Sequence, residues 1–452
     1  MRTVINSLRT YIHQDTKAAP LAVFRILFGA VMLISTIRFW SNGWIEKLYL
    51  NPKFQFHYFG FEFVTVPGQW TYVLFAIMAI CSITIMIGYQ YRLSIILFFL
   101  VFTYVELMDK TTYLNHYYFV TVVSFMMIWL PMNCMFSMDA HINGGDITSV
   151  PQWTILSLQV FISLVYIYAG LAKLNHDWLM KAMPLTLWLP THQDIPILGN
   201  LFQHKWSHYA FSWGGVLYDL FVPFFLMWTK TRMHAFSAVL FFHIMTSILF
   251  PIGMFPYLMI AAVFIFFSGD FHERVIASAK KLICSLSGWN LTNHINRATL
   301  TLPRLSIWVV TMVLGLQLLI PLRGFAYPGN IFWTEQGYRF SWRVMLMEKT
   351  GYANFKVVDG LTGQFFYVQN DDFLTAFQEK EMSTQADFII EYAHMLEAHF
   401  VSQGHQNIEI YVESYASLNG RRSQPFIDPT VDLTELKNSL WNKDYITPIR
   451  DE

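Results

Sequence analysis

Charge is what this 452-residue chain has least of. Only 13% of its residues are Asp, Glu, Lys or Arg, about half the share of an ordinary soluble domain. The 30 cations and 30 anions cancel, so there is no basic surface to point to a nucleic-acid partner. Cysteine is equally scarce. Cys81, Cys134 and Cys284 lie far apart, which excludes a disulfide framework and a CxxC redox pair. The 15 histidines are scattered without HExxH spacing, and no metal site is expected. Phosphate loop, nucleophile elbow, dinucleotide-binding glycine fingerprint, internal repeat and low-complexity run are all missing. The first 19 residues are polar and weakly basic, and no small-residue cleavage site follows the first apolar run. They read as a cytoplasmic tail entering a retained helix rather than as a signal peptide.

Apolar residues fill the space that charge leaves. Hydrophobic residues make up 54% of the chain and aromatics 17%, with mean hydropathy +0.37. A helix needs roughly 20 apolar residues to cross the hydrocarbon core, and about nine segments approach this. They fall near 20–39, 71–89, 93–108, 117–133, 154–172, 211–229, 234–250, 252–268 and 305–321. The expected fold is an α-helical integral membrane bundle (20–321) followed by an α+β extramembrane domain (322–452). With the N-terminus inside, the inner segments carry Arg2, Arg9, Lys17, Arg92, Lys230, Arg232, Arg274, Lys280, Lys281, Arg297 and Arg304, against Lys47, Lys53, Lys110, Lys173, Lys181 and Lys205 outside. That bias obeys the positive-inside rule, and an odd number of spans then puts the C-terminal domain in the periplasm or a lumen. In that domain, strands flank Gly360-Leu361-Thr362-Gly363, a helix with Phe388, Tyr392, Leu396 and Phe400 on one face covers about 384–400, and a second hairpin turns at Asn419-Gly420.

Three places hold polar groups where a membrane makes them expensive: Asp109 to His116, Ala169 to Trp178, and His243. All but His243 fall at the outer ends of spans, so they are able to converge under the C-terminal domain. Lys173 either snorkels to the interface or, held out of water, acts as a base. His116, beside Asn115, is either a hydrogen-bonding residue between helices or a catalytic one, and His243 either packs or lines a site. Asp109 and Lys110 are expected to pair with each other at the water boundary. Tyr113, Trp178 and Trp213 fit an aromatic belt and are carried as candidate substrate or quinone contacts. Gly214-Gly215 suggests close helix packing.

At these residues the chain resembles the vitamin K-dependent γ-glutamyl carboxylase family, also described as the HTTM membrane domain. LMDKTTYLNHYYF, YAGLAKLNHDW, WGGVLYDL, FHIMTSILFPIGMFPYLM, WTEQGYRFSWRVM, DGLTGQFFYV and FIDPTVDL occur in the family's order, from about residue 22 to 433. The resemblance implies an enzyme that deprotonates reduced vitamin K (phylloquinol or menaquinol) and reacts it with O2. The strongly basic alkoxide so formed removes a γ-proton from a glutamate side chain, and the carbanion takes up CO2 to give γ-carboxyglutamate while the quinone leaves as its epoxide. By matching positions, Lys173 would be the base that deprotonates the hydroquinone. His116, with Asn115 beside it, would assist proton abstraction or hold CO2 and the oxygenated quinone. His243 would line the pocket and Tyr367 would help position the glutamate, while Trp342 and Asp428 support the outer domain. The animal enzymes carry two successive lysines where this chain has Ala172-Lys173, and they continue into a longer outer tail, so the chain resembles short bacterial members. The implied partners are membrane lipid and a glutamate-containing protein or peptide. A quinol oxygenase that never carboxylates, and a non-catalytic member binding lipid or partners, remain alternatives on the same scaffold.

Overall fold

The computed structural model describes residues 10–196, 198–287, 300 and 302–450. Arg2, Arg9 and Arg297 of the orientation argument lie outside them. The membrane part consists of α1 (Ala19–Ser41), α2 (Thr71–Ile87), α3 (Tyr91–Met108), α4 (Asn115–Trp129), α5 (Gln152–Ala172), α6 (Lys205–Met227), α7 (Arg232–Leu249), α8 (Phe255–Val263), α9 (Gly269–Ser287) and α10 (Arg304–Leu319). Among the described residues seven helices are long and apolar enough to cross a membrane, or eight if the stretch from α8 into α9, bent by 117°, is one span.

The expected count of nine is therefore not reached, and α4 and α8 account for the difference. α4 has 15 residues, roughly 22 Å of helix against a hydrocarbon core of about 30 Å. At one end it is cut by the turn through Lys110–Thr112. At the other, Leu130 is extended ahead of Pro131, as the residue before a proline prefers. α8 has nine residues and runs into a short 3-10 turn, Phe264–Phe266. Both helices begin below the surface that carries the C-terminal domain, and the space above them is the candidate site.

The opposite surface is closed by an antiparallel pair, β1 (Asp15–Lys17) with β2 (Ser149–Pro151), and by Lys17 pairing with Asp270 and Glu273 of α9. One charge lies wholly inside the bundle. Arg25 is 0% exposed, and its guanidinium donates to the carbonyls of Met132, Ile85, Met86 and Phe136. This satisfies a buried cation with backbone dipoles and ties α1 to the α2–α3 turn and to the loop after α4. α5 and α6 approach closely at Gly170, where an added Cβ would stand 2.8 Å from Leu220.

The C-terminal domain is a four-stranded antiparallel sheet in the order β4–β3–β5–β6, from β3 (Lys349–Asp359), β4 (Phe365–Tyr367), β5 (Ile408–Leu418) and β6 (Gln424–Pro425). Every second residue of β5 is buried, the alternation of a sheet with one covered face. The cover is α11 (Ala386–Ser402), with Phe388, Tyr392, Leu396 and Phe400 inward. Both expected hairpins form. Asn419 and Gly420 take φ of 50° and 74°, the left-handed pair a tight hairpin turn requires.

The domain is docked by charge. Lys110, its side chain 2% exposed, pairs with Glu391 at 2.6 Å and Asp387 at 3.2 Å and lies 4.5 Å over the Phe388 ring. Arg339 completes the cluster on Asp387 at 2.7 Å. Asp109 instead accepts from Thr111 and from Gln378. The expected Asp109–Lys110 pair is thus corrected: successive residues of this turn point in different directions, and each takes a partner on the C-terminal domain. Removing one partner of a buried pair leaves the other charge uncompensated, at about 3–5 kcal/mol. Lys110→Ala is expected to lower the thermal midpoint of the detergent-solubilised protein and to make the C-terminal domain more readily cleaved by protease. An unchanged midpoint would show that the pair does not carry the docking.

Candidate active site

Two adjoining cavities lie beneath the C-terminal domain. The first, of about 100 Å³, is bounded by α5, α6, α7 and α8 and contains Lys173, Asp219 and His243 among apolar and aromatic side chains. The second, of about 270 Å³, lies at the ends of α1, α4 and α8 and contains Arg38, Asn115 and His116. Ile252, Phe255, Val344 and Met345 line both. Phe255 stands between the two imidazoles, its ring 5.8 Å from that of His116 and 5.9 Å from that of His243.

Lys173 caps the C-terminal end of α5 and is 6% exposed. Its amine donates to Asp219 Oδ2 at 2.7 Å and to the Ala169 carbonyl at 3.3 Å, with the Trp178 ring at 5.4 Å. The lysine is therefore buried, as a base requires, but it is not the isolated amine the sequence suggests. Asp219, its partner, is a candidate site residue that the sequence alone did not single out. Its signal was present: a carboxylate inside the apolar span containing WGGVLYDL, where an ionisable group marks a site by default. Gly215 faces this pair, the nearest atoms to a Cβ there being Trp178 at 3.8 Å and the Lys173 Cε at 4.0 Å, and nothing lies near Gly214. The close helix packing expected at Gly214-Gly215 occurs instead at Gly170.

His243 is 2% exposed. Its Nε2 meets the Tyr166 hydroxyl at 2.9 Å, Tyr218 adjoins that hydroxyl at 3.5 Å, and Nδ1 is buried without a hydrogen-bond partner among the described residues. Across Phe255, His116 packs against Tyr117. Asn115 is fixed from both ends: its amide donates to the Arg343 carbonyl at 2.8 Å and its oxygen accepts from Tyr113 at 3.1 Å. Tyr113 in turn accepts from the Phe340 amide, so it orients Asn115 and lines neither cavity. Trp178 does line the first cavity, its indole N–H donating to the Ser212 carbonyl. Trp213 is 44% exposed and lines neither. Tyr367 is 42% exposed on β4 with its hydroxyl on Glu413, apart from both cavities. Trp342, 1% exposed, inserts from the C-terminal domain against Tyr118 and Phe161. Asp428 caps its own turn at Thr430.

The rim is held by a second charge pair. Asp177, four residues beyond Lys173, takes both Arg421 nitrogens at 2.6 and 2.8 Å and the Asn419 amide at 2.9 Å. Burial opposes this carboxylate, but the hydrogen bonds from Arg421 and Asn419 outweigh it and hold the group below the usual carboxylate range. A carboxyl depressed in the folded state adds stability that is present above its unfolded pKa, near 3.9, and is lost as pH falls through the folded value. Asp177→Asn is expected to lower the thermal midpoint at pH 6 and to flatten its decline between about pH 4 and pH 3. Parallel pH profiles for the two proteins would remove Asp177 from the docking.

The apolar helices and the two cavities define a multi-pass membrane protein with a candidate site beneath an extramembrane domain. The HTTM domain family matches residues 13–271, and the lumenal domain of vitamin K-dependent gamma-carboxylase matches residues 303–452. The chain belongs to the vitamin K-dependent gamma-carboxylase family, and the matched description marks its C-terminal region as lumenal. No solved structure matches it.

Proposed function

We propose that this protein is a vitamin K-dependent γ-glutamyl carboxylase that couples quinol epoxidation to carboxylation of protein glutamate, with its N-terminus cytoplasmic and its C-terminal domain periplasmic or lumenal. The observation that carries this reading is the Lys173–Asp219 pair in an apolar cavity that shares a wall with the cavity of His116. Phe211, Phe242, Phe250, Phe255, Trp178 and Trp188 line the first cavity, surroundings that suit a flat naphthoquinol, and the unpartnered His243 Nδ1 offers a second polar contact besides the pair. Reduced vitamin K and O2 supply the driving force, yielding epoxide and water, while glutamate and CO2 yield γ-carboxyglutamate and a proton.

The chain's own residues do the rest. A lysine bonded to a buried carboxylate accepts one further proton whichever atom holds the first. If the pair is ionic, Asp219 takes the proton and the ammonium stays beside the new quinol oxyanion, where its charge stabilises that oxyanion most. The lysine then need not be neutral. His243, held by Tyr166, orients the far side of the ring. His116 and Asn115 act in the second cavity, within reach of the shared wall. The cap excludes water, which would quench a carbanion.

Purified protein given reduced vitamin K, radiolabelled CO2 and glutamate-containing peptides is expected to label the peptide and form epoxide. Epoxide without label would identify a quinol oxygenase, and neither product across a range of quinols and peptides would favour a non-catalytic member. Lys173→Ala is expected to reduce epoxide formation by about 100-fold or more, with partial recovery on raising pH or adding a small amine. Asp219→Asn is expected to lose a comparable amount without recovery by amines. Turnover at the original rate in Lys173→Ala would take Lys173 out of the mechanism.

A further inference from the structure

Lys173 has Asp219, Arg25 has four carbonyls and Lys110 has two carboxylates, but Arg38 has no such partner. It stands in the last turn of α1 and lines the second cavity with His116 and Asn115. Its guanidinium lies 4.7 Å over the Trp44 ring, and a Cβ built at Gly253 would be 3.5 Å from its Nη1. Among the described residues no hydrogen bond or ion pair occupies its side chain. The contact with Trp44 supplies no acceptor oxygen to the guanidinium, whose paired N–H groups match the two oxygens of a carboxylate. Among the described residues no acidic side chain lines this cavity, whose walls also include Ser35, Phe39, Trp44, Tyr117 and the Pro251–Phe255 turn.

We propose that Arg38 binds the side-chain carboxylate of the peptide glutamate. This rests on the carboxylase reading and divides the site into two compartments, with the quinol against Lys173–Asp219 and the glutamate against Arg38. The wall of Ile252, Phe255, Val344 and Met345 between them is where the γ-carbon meets its base. A guanidinium here does more than hold the substrate. Removing a γ-proton spreads negative charge into the adjacent carboxylate, so the anion on Arg38 becomes more highly charged as the C–H bond breaks, and its attraction to a fixed cation rises with it. The proton leaves to the base, the electron pair remains on the γ-carbon and its carboxylate, and that carbon then bonds to CO2.

The test measures binding of a fluorescent peptide with a single glutamate to the full-length protein in nanodiscs without quinol, beside the same peptide with glutamine. The glutamate peptide is expected to bind saturably and more tightly, and Arg38→Gln to weaken it by about 100-fold, with Arg38→Lys intermediate and the glutamine peptide unaffected. In turnover, Arg38→Gln is expected to raise KM for peptide and leave KM for quinol within about threefold. Wild-type protein supplies an independent measurement should Arg38→Gln fail to fold. Modification by phenylglyoxal, mapped by mass spectrometry, is expected at Arg38 and to be blocked by the glutamate peptide, but not by the glutamine peptide or by bicarbonate. Equal affinity of both peptides for wild type, unchanged binding to Arg38→Gln, or protection by bicarbonate alone would overturn the proposal. Glutamate-dependent binding through Arg38 without any fixation of labelled CO2 would leave this inference standing and remove the carboxylase reading.

Discussion

The contact between Lys173 and Asp219 is the constraint around which the rest of the site is arranged. An ammonium taken from water into an apolar cavity is costly unless a counter-charge meets it at close range, and at 2.7 Å the carboxylate does. The contact dictates what surrounds it. Gly170 lets α5 and α6 approach closely enough for residues on both to meet, and Gly215 leaves the space into which the lysine side chain lies. Trp178 covers the pair, and its own indole N–H must then find the Ser212 carbonyl. The turn carrying Trp178 is pinned in its turn by Asp177 and Arg421. A charge pair inside the membrane region is thus linked, through one short helix, to the turn between β5 and β6 of the C-terminal domain.

The second constraint is length. α4 and α8 are too short to fill the bundle to its outer surface, and a void remains above their first turns. In an ordinary bundle such a void would collapse or fill with water. Here the segment Phe340 to Met345 is inserted over it. Phe340, Trp342 and Met345 all take positive φ, a conformation unfavourable for side chains of this size, and Trp342 is anchored among Tyr118, Phe119 and Phe161. The packing over-determines a backbone that would not otherwise adopt this shape, and it sets Val344 and Met345 in the wall between the cavities.

Hydropathy made the membrane class and seven of the spans legible, because each of those runs stays predominantly apolar over the length of a span. The same measure counted α4 and α8 as ordinary spans. It registers apolar composition, and both segments remain apolar where the helix has already ended. The hairpins and α11 were legible from local rules: Asn419-Gly420 dictates its turn, and the i+4 spacing of Phe388 to Phe400 dictates a buried face. Among the site residues, those within polar clusters at span ends (Lys173, Asn115, His116) and His243 of α7 are brought to the two cavities. Asp219 was passed over because it is a single charge in an apolar run, and Arg38 because a cation at a span end is compatible with the membrane interface. Tyr113, Trp213 and Tyr367 show the converse. An aromatic residue is compatible with a belt, a sheet surface or a pocket, and nothing in its own identity distinguishes these.

The two compartments differ in charge, and the difference has chemical consequences. The Lys173–Asp219 pair is neutral as a unit, so it creates little field beyond its own contact and suits an apolar quinol. The Arg38 cavity carries a net positive charge and suits an anion. Were the two merged, the free guanidinium would compete with Lys173 for Asp219, and the carboxylate of a substrate would compete with Asp219 for Lys173. Ile252, Phe255, Val344 and Met345 prevent both, and none of their side chains carries an acidic proton. On the carboxylase reading this matters more than the separation itself. A carbanion generated at such a wall meets no side-chain O–H or N–H there to take a proton from, so CO2 faces less competition for it. The arrangement places cation, imidazole and amine around the reaction while keeping proton donors out of the one surface where the new carbon–carbon bond has to form.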